Sequence, residues 1–416
     1  MNLLRGRAGN RRSPSSGETV LEGRKHKPDY GIVVLASVLI VMGMIVMYSI
    51  SPAVAQLSGE SALYYFTRHV VAFLIGIVAL VAIYATPIKH LKNLTYVIAG
   101  LSIVASILIL ILDGVAFRWI KIAGFSFQPA EMMKFGLILW LGFFLASQRR
   151  SGQIRDYSKT LKPVLIVLSA IALIVVVLQR DLGSMLVIAS ITGIMMFISS
   201  VPMKPLLLLF AGLVALSAVA VASTPYRRDR FETFINPERD CQNEGYHACQ
   251  ALIAVGSGGL VGLGVGNSVQ AYGYLPETPT DSIFAIYSEK FGFIGSTIMI
   301  VVIGALLMRM FTIASRTQSW EARLIMAGII TWLGVQSMIN IGAMLGLLPL
   351  KGITLPFVSY GGSSLIFVML ALGVALRISC YTSVRKHDLE SAEKTYESST
   401  IGRGNRRTYN TPISSR

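Results

Sequence analysis

The sequence predicts an all-α polytopic membrane protein: ten transmembrane helices, both termini cytoplasmic, and one large extracytoplasmic loop between helices 7 and 8. Three observations predict it. Hydrophobic residues make up 53% of the 416 residues and charged residues 14%, against roughly a quarter charged in an average soluble domain. Ten apolar runs, near 30–50, 69–86, 94–112, 131–147, 163–179, 182–200, 205–223, 283–311, 324–347 and 357–380, approach the roughly 20 residues that cross about 30 Å of hydrocarbon. The connecting loops alternate between basic and nearly free of basic residues, as the positive-inside rule requires.

Taken in order, residues 1–28 are rich in Arg, Lys, Gly, Ser and Pro. They have too few apolar residues to offset the entropy of ordering and read as a disordered basic cytoplasmic tail. The first apolar run is too long for a signal-peptide core and lacks a small-residue cleavage site, so it reads as a retained span. Residues 29–385 form the transmembrane domain, and 386–416, with Lys386, Arg403, Arg406 and Arg407, read as a second disordered tail. The break between the fifth and sixth runs, Gln179-Arg180-Asp181, is tight. Charge arbitrates there. The loops at 87–93, 148–162, 201–204 and 312–323 are basic, and so are both tails. Ten spans put all of them on one side, whereas nine would place the last tail outside. The net charge of +16 therefore reads as topology, and with no nucleic-acid motif beside it a nucleic-acid partner is excluded. Three cysteines do not make a disulfide framework.

The loop at 224–282 is out of proportion, and long loops in compact proteins are usually functional or disordered. Two stretches in it look helical, near Arg227–Ile235 and Tyr246–Val255. It ends in Tyr274-Leu-Pro-Glu-Thr-Pro-Thr-Asp281, where Pro276 and Pro279 bar a regular helix, and then runs into the eighth span. An acid at the mouth of a membrane-length helix is a functional candidate by default. An interfacial cap and a substrate platform are both open readings of the loop.

Other motifs carry two readings each. Pro129 suits the first turn of the fourth span, and Glu131 and Lys134 share a helix face. They form either a structural ion pair or a charge cluster facing a polar cavity. Asp181 either caps the sixth span or lines the same external cavity as Asp281. Gly256-Ser-Gly-Gly-Leu-Val-Gly-Leu-Gly264-Val-Gly266 lacks the Gly-Lys-Ser/Thr of a nucleotide loop and reads as close backbone packing. Cys241 and Cys249, with His247 between them, leave a disulfide open, while a metal site lacks an evident fourth ligand. Lys351 lies in a Pro- and Gly-rich stretch before the last span. It is either a snorkelling lysine or a phosphate ligand.

Arg118-Trp119, Gln128-Pro-Ala-Glu131-x-x-Lys134, Gln179-x-Asp181-Leu-Gly183 and Tyr226-Arg227-x-x-Arg230 occur in this order. Ala254-Val-Gly-Ser-Gly-Gly259, Leu275-Pro-Glu-x-x-x-Asp281-x-Ile-Phe284 and the 346–364 stretch follow. Together they resemble the SEDS family (FtsW, RodA, SpoVE) over nearly all of residues 30–385. Gln270–Glu277, Asp281-Ser282 and Lys351-Gly-Ile-Thr354 look more like its cell-division branch, FtsW, than its elongation branch, RodA.

The resemblance implies a peptidoglycan glycosyltransferase that polymerises lipid II at the outer face of the cytoplasmic membrane, at the division septum, with a class B penicillin-binding transpeptidase and division-complex regulators as partners. It makes Asp281 the catalytic acid, in the role of general base. Cations would stabilise the leaving pyrophosphate, with Arg118, Arg230 and Lys351 as the candidates and Glu131, Lys134, Asp181 and Glu289 as a supporting charge network. No tightly bound cofactor is expected; a divalent cation, Mg2+ or Mn2+, is a candidate helper. Two features depart from the family pattern: Glu289-Lys290 replaces a frequent pair of glutamates, and Cys241 and Cys249 have no counterpart in it. A lipid II flippase and a non-catalytic scaffold are the rival readings.

Overall fold

The computed structural model of the chain describes residues 27–112, 120–122, 125–202, 204, 211–212, 241–243 and 245–381. Helix α1 spans Tyr30–Ser58, α2 Tyr64–Ala85 and α3 Ile88–Leu112. A short antiparallel hairpin follows, β1 (Ile120–Ile122) with β2 (Phe125–Phe127), pairing Ile120 with Phe127. Next come α4 (Pro129–Arg150), α5 (Lys162–Ala172) between π-helical turns at Tyr157–Leu161 and Leu173–Leu178, and α6 (Leu182–Ile198). After the loop helix α7 (Tyr246–Ser257) come α8 (Ile283–Arg316), α9 (Trp320–Met344) and α10 (Gly362–Ser379).

Among the described residues eight helical segments are long and apolar enough to cross a membrane, and α6 is a shorter apolar helix. The predicted run 205–223 lies outside the described residues, as does the helix-like stretch Arg227–Ile235. The chain is a multi-pass membrane protein, and its helices sort by what they face. The most apolar windows of α4, α9 and α10 are 83%, 72% and 89% buried, whereas those of α2 and α8 are only 22% and 28% buried. The central helices carry the buried polar residues Glu131, Lys134, Gln336, Asn340, Ser363 and Ser364. The outer ones present Val78, Val104, Val301 and Phe311 to their surroundings. Polar groups inside a membrane belong on the faces turned to the bundle interior, where partners exist.

Hydropathy misplaces several boundaries for physical reasons. Helix α1 continues through Pro52 to Ser58 and ends on Gly59 in the left-handed conformation (φ 69°), the usual helix stop. Ala53, Val54, Ala55 and Gln56 carry it past the apolar run, so the predicted loop 51–68 shrinks to a short turn. Helix α10 starts at Gly362, not near 357, because the backbone before it is bonded elsewhere. Tyr360 N–H donates to Pro279 O at 2.8 Å and Leu355 N–H to Ser359 Oγ at 2.7 Å.

The eighth predicted run is not one continuous helix. Gly292 breaks α8 with φ 66° and ψ −165°, a conformation that essentially only glycine adopts. The break is specified from the loop. Phe293 N–H donates to Gly259 O (2.9 Å), Ile294 N–H to Leu260 O (3.1 Å) and Gly264 N–H to Lys290 O (3.0 Å). A Cβ on Gly262 would collide with the backbone of Lys290 and Phe291. The glycine-rich stretch is thus the close backbone packing that its sequence suggests, docked on a broken membrane helix. Non-helical backbone at membrane depth is tolerated where protein satisfies it.

Candidate active site

The turn before α8 is held from within and from two sides. Thr278 Oγ donates to Leu275 O (2.5 Å), and Thr280 N–H and Ser282 N–H both donate to Glu277 O (3.1 and 3.2 Å). Thr280 Oγ, with one proton to donate, lies 2.9 Å from Glu277 Oε2 and 3.3 Å from Asp281 Oδ1. The prolines forbid helix here, so each of these bonds replaces one that a helical ladder would have supplied. Asn340 on α9 donates through Nδ2 to both Asp281 O and Ile353 O, each at 2.7 Å. That one amide ties the turn carrying Asp281 to the segment just after Lys351. Asp281 is 9% exposed.

Beneath the turn runs a buried polar network. Lys134 Nζ donates to Glu131 Oε1 at 2.6 Å and to Gln336 Oε1 at 2.7 Å, and it lies over the Trp332 ring. Gln336 passes the chain on, donating to Thr354 O at 3.0 Å, and Thr354 Oγ bonds Ser364 Oγ at 2.9 Å. Glu131 Oε2 is buried without a hydrogen-bond partner among the described residues. A second chain crosses beside it. Gln128 Nε2 donates to Asp181 Oδ2 (3.0 Å), and Gln128 N–H donates to Ser363 Oγ (2.9 Å). Asp181 also accepts from Ser184 N–H at 3.0 Å and so caps α6. Its carboxylate is thus both the cap of α6 and a crosslink to Gln128.

A cleft of about 690 Å³ opens beside the turn, lined by Pro276 to Thr280 together with Ser58, Tyr64, Tyr65, Arg68, Ser126 and Tyr360. Tyr65 and Tyr360 meet edge to face at 5.6 Å, and the Arg68 guanidinium lies 4.0 Å from the centre of the Tyr64 ring. On the loop before α10, burial raises the Tyr360 phenol above its ordinary pKa, opposed by the Arg68 charge, so at neutral pH the phenol keeps its proton. The sequence reading missed Arg68 and the tyrosines. One signal was available: Arg68 is a basic residue on a boundary where the charge pattern otherwise puts few.

The structure thus brings Asp281, the Lys351–Thr354 segment, Asp181 and the Glu131–Lys134 pair to one end of the central helices. Lys351 is half-buried beside Gly183 at the start of α6. Glu289 is used differently: Oε1 accepts from Val269 N–H (2.8 Å) and Gln270 N–H (3.1 Å), and Oε2 from Ser268 Oγ (2.5 Å). It straps the loop to α8. Arg118 and Arg230 lie outside the described residues. Cys241 and Cys249 form a disulfide, with Cα atoms 5.6 Å apart. Among the described residues no group of three or more His, Cys, Asp or Glu is placed to hold a metal ion.

The family model FTSW_RODA_SPOVE, described as cell cycle protein, matches residues 30–384. The chain belongs to this family. A relative in Coxiella burnetii named probable peptidoglycan glycosyltransferase FtsW is 37% identical over 373 residues, covering 85% of this chain and 96% of its own. Among solved structures, rod shape determining protein RodA of Thermus thermophilus superposes with a TM-score of 0.62 at 26% identity, over 85% of this chain and 96% of that one. A chain from a peptidoglycan synthase complex that coordinates polymerization and crosslinking superposes with a TM-score of 0.68 at 27% identity, over 85% of this chain and 97% of its own. The fold is therefore RodA-like, and the relatives include proteins named as glycosyltransferases of peptidoglycan synthesis and proteins named for cell division and cell shape.

Proposed function

We propose that this chain is a peptidoglycan glycosyltransferase that polymerises lipid II into glycan strands during septal wall synthesis, with Asp281 as general base. Polymerisation needs a sugar hydroxyl to lose its proton while it attacks an anomeric carbon whose leaving group is a lipid-linked pyrophosphate. A positioned carboxylate that accepts that proton contributes roughly 10²- to 10⁴-fold. The observation that carries this reading is the placement of Asp281: a carboxylate on a braced turn whose neighbours line an adjoining cleft.

The displacement inverts the sugar from α to β, and no covalent enzyme intermediate is required. Arg118, Arg230 and Lys351 are proposed to offset the charge that develops on the leaving pyrophosphate, and Arg68 in the cleft joins that set. A magnesium-type ion binds through one or two carboxylates plus substrate phosphates. The cleft residue Glu277 offers one such carboxylate, leaving Asp281 as the base, and such an ion would supply further charge neutralisation at the pyrophosphate.

In this reading ten spans cross the cytoplasmic membrane with both tails inside, the segment 224–282 is the extracytoplasmic loop, and residues 1–28 and 386–416 are cytoplasmic tails. A class B penicillin-binding transpeptidase sits beside the membrane domain, with division-complex regulators acting on the pair. The solved synthase complex that this chain resembles supports such a partner.

The test is reconstitution of the full chain with its transpeptidase partner on labelled lipid II. Wild type is expected to make strands, and Asp281→Asn to lose at least about a hundredfold in rate without loss of thermal stability. Transfer of lipid II across the bilayer with no strand formation would favour a flippase instead. Strand synthesis undiminished in Asp281→Asn would remove Asp281 from the chemistry.

A further inference from the structure

Helix α7, in the external loop, meets the reaction turn through a hydrogen bond. His247, in the first turn of α7, has Nε2 2.7 Å from Ser282 Oγ. Ser282 is the residue after Asp281 and is fully buried. Its hydroxyl proton is committed, because Ser282 Oγ donates to Pro276 O at 2.8 Å. The oxygen therefore accepts from His247, which requires a proton on Nε2 of the ring. The result is a relay, His247 Nε2–H to Ser282 Oγ–H to Pro276 O, that clamps both ends of the segment 276–282. Asn340 holds the same turn through Asp281 O. The turn is thus held by two donors, Asn340 from a membrane helix at the Asp281 carbonyl and His247 from the loop at the Ser282 hydroxyl.

The mounting of His247 is also specific. Near its C-terminal end, α7 lies against α8, where a Cβ on Gly258 would collide with the Ser288 carbonyl. At its N-terminal end, the disulfide between Cys241 and Cys249 staples the preceding turn to the first turn of α7, beside His247. A covalent tie in the turn that carries a hydrogen-bonding ring restricts how far the ring can move, and small misplacements at a reacting centre are expensive in rate.

We propose that His247 is a positioning residue for Asp281, acting through Ser282, and that the Cys241–Cys249 bridge fixes the helix turn that carries it. The inference rests on the proposed polymerase reading for its rate effects, but not for its structural ones. It makes the external loop part of the catalytic apparatus and makes turnover sensitive to the redox state of the disulfide that ties down the first turn of α7.

The experiment uses the full-length chain reconstituted with its transpeptidase partner on labelled lipid II, together with hydrogen exchange on the same samples. His247→Ala is expected to lower kcat about tenfold, the scale of one lost positioning hydrogen bond, and to leave KM within about twofold. His247→Gln, whose amide N–H can reach the same oxygen, is expected to recover most of the loss. Treating wild type with reductant is expected to lower kcat in the same direction. The Cys241→Ser/Cys249→Ser double variant should start low and not respond to reductant. Independently of activity, backbone amides in 274–282 should exchange faster in His247→Ala while the α9 and α10 amides do not. Wild-type kcat in His247→Ala, or unchanged exchange over 274–282, overturns the proposal. So does equal slowing of the Ala and Gln variants with a lowered melting temperature, which would make His247 a helix anchor only. If wild type makes no strands, the polymerase reading fails by itself, and the exchange measurement still decides for or against His247.

Discussion

Asp281 and Glu289 lie eight residues apart at the start of one helix, both buried, and different elements of the fold hold them. Glu289 accepts three hydrogen bonds from Ser268, Val269 and Gln270, two of them from backbone N–H groups that cannot move away. Asp281 has its main chain fixed, its carbonyl taking Asn340, and its carboxylate meets the Thr280 hydroxyl at 3.3 Å. A carboxylate saturated by fixed donors is a strap. A carboxylate whose backbone is fixed beside a cleft suits the base role proposed for Asp281, since geometry must be set before a base is useful. The sequence reading made Asp281 the base and Glu289 part of a supporting charge network; the bonds from Ser268, Val269 and Gln270 make Glu289 a strap between loop and helix.

The largest expected effects test that separation directly. Asp281→Asn should remove at least about a hundredfold in polymerisation rate and leave the melting temperature unchanged. Next comes the pair beneath the turn. Lys134→Met leaves Glu131, which is buried, without its cation, and breaking one side of a buried pair costs about 3–5 kcal/mol. Thermal unfolding in detergent should show that loss, and Glu131→Gln/Lys134→Met should recover part of it. No recovery in the double variant would mean that the pair's value lies in Gln336 and the Trp332 contact rather than in charge. Glu289→Gln should be smaller again, about 1–3 kcal/mol of stability for a weakened acceptor facing three donors, with kcat per folded molecule close to wild type. A hundredfold rate loss in Glu289→Gln with normal stability would erase the contrast with Asp281.

How much of this was legible in the sequence follows from the range of each interaction. Helices α1 to α6 and α8 to α10 fall on predicted apolar runs, because hydropathy is a local property that a membrane reads locally. Asp281 stood out because the prolines and the polar run around it are also local. The break at Gly292 did not stand out. A single glycine in an apolar run is only weakly unfavourable to helix, and the conformation is imposed by residues 258–264 folding back onto it. The His247–Ser282 bond, the Glu289 strap and the cleft wall of Arg68 and Tyr360 share that character, each joining residues brought together only by the fold. The Cys241–Cys249 bridge was open in the sequence because separation in sequence does not report the spacing of Cα atoms.

At the far end of α1 a third acid extends the contrast to its weakest case. Asp29 caps α1 by accepting from Gly31 N–H at 3.0 Å and also pairs with Arg309, Oδ2 to a terminal guanidinium nitrogen at 2.8 Å and Oδ1 to Nε at 3.0 Å. By hydrogen-bond count it resembles Glu289. It differs in solvent: the Arg309 side chain is half exposed, so water and salt screen the pair and both partners are hydrated when it breaks. Exposed pairs contribute about 0–1 kcal/mol, whereas an N-cap contributes about 0.5–2 kcal/mol. Arg309→Ala is therefore expected to change the melting temperature little and polymerisation not at all, while Asp29→Ala lowers stability by more than Arg309→Ala. If the arginine variant proves the more damaging, the ion pair and not the cap holds the start of α1, and donor count without regard to solvent would be the better guide to what an acid does in this protein.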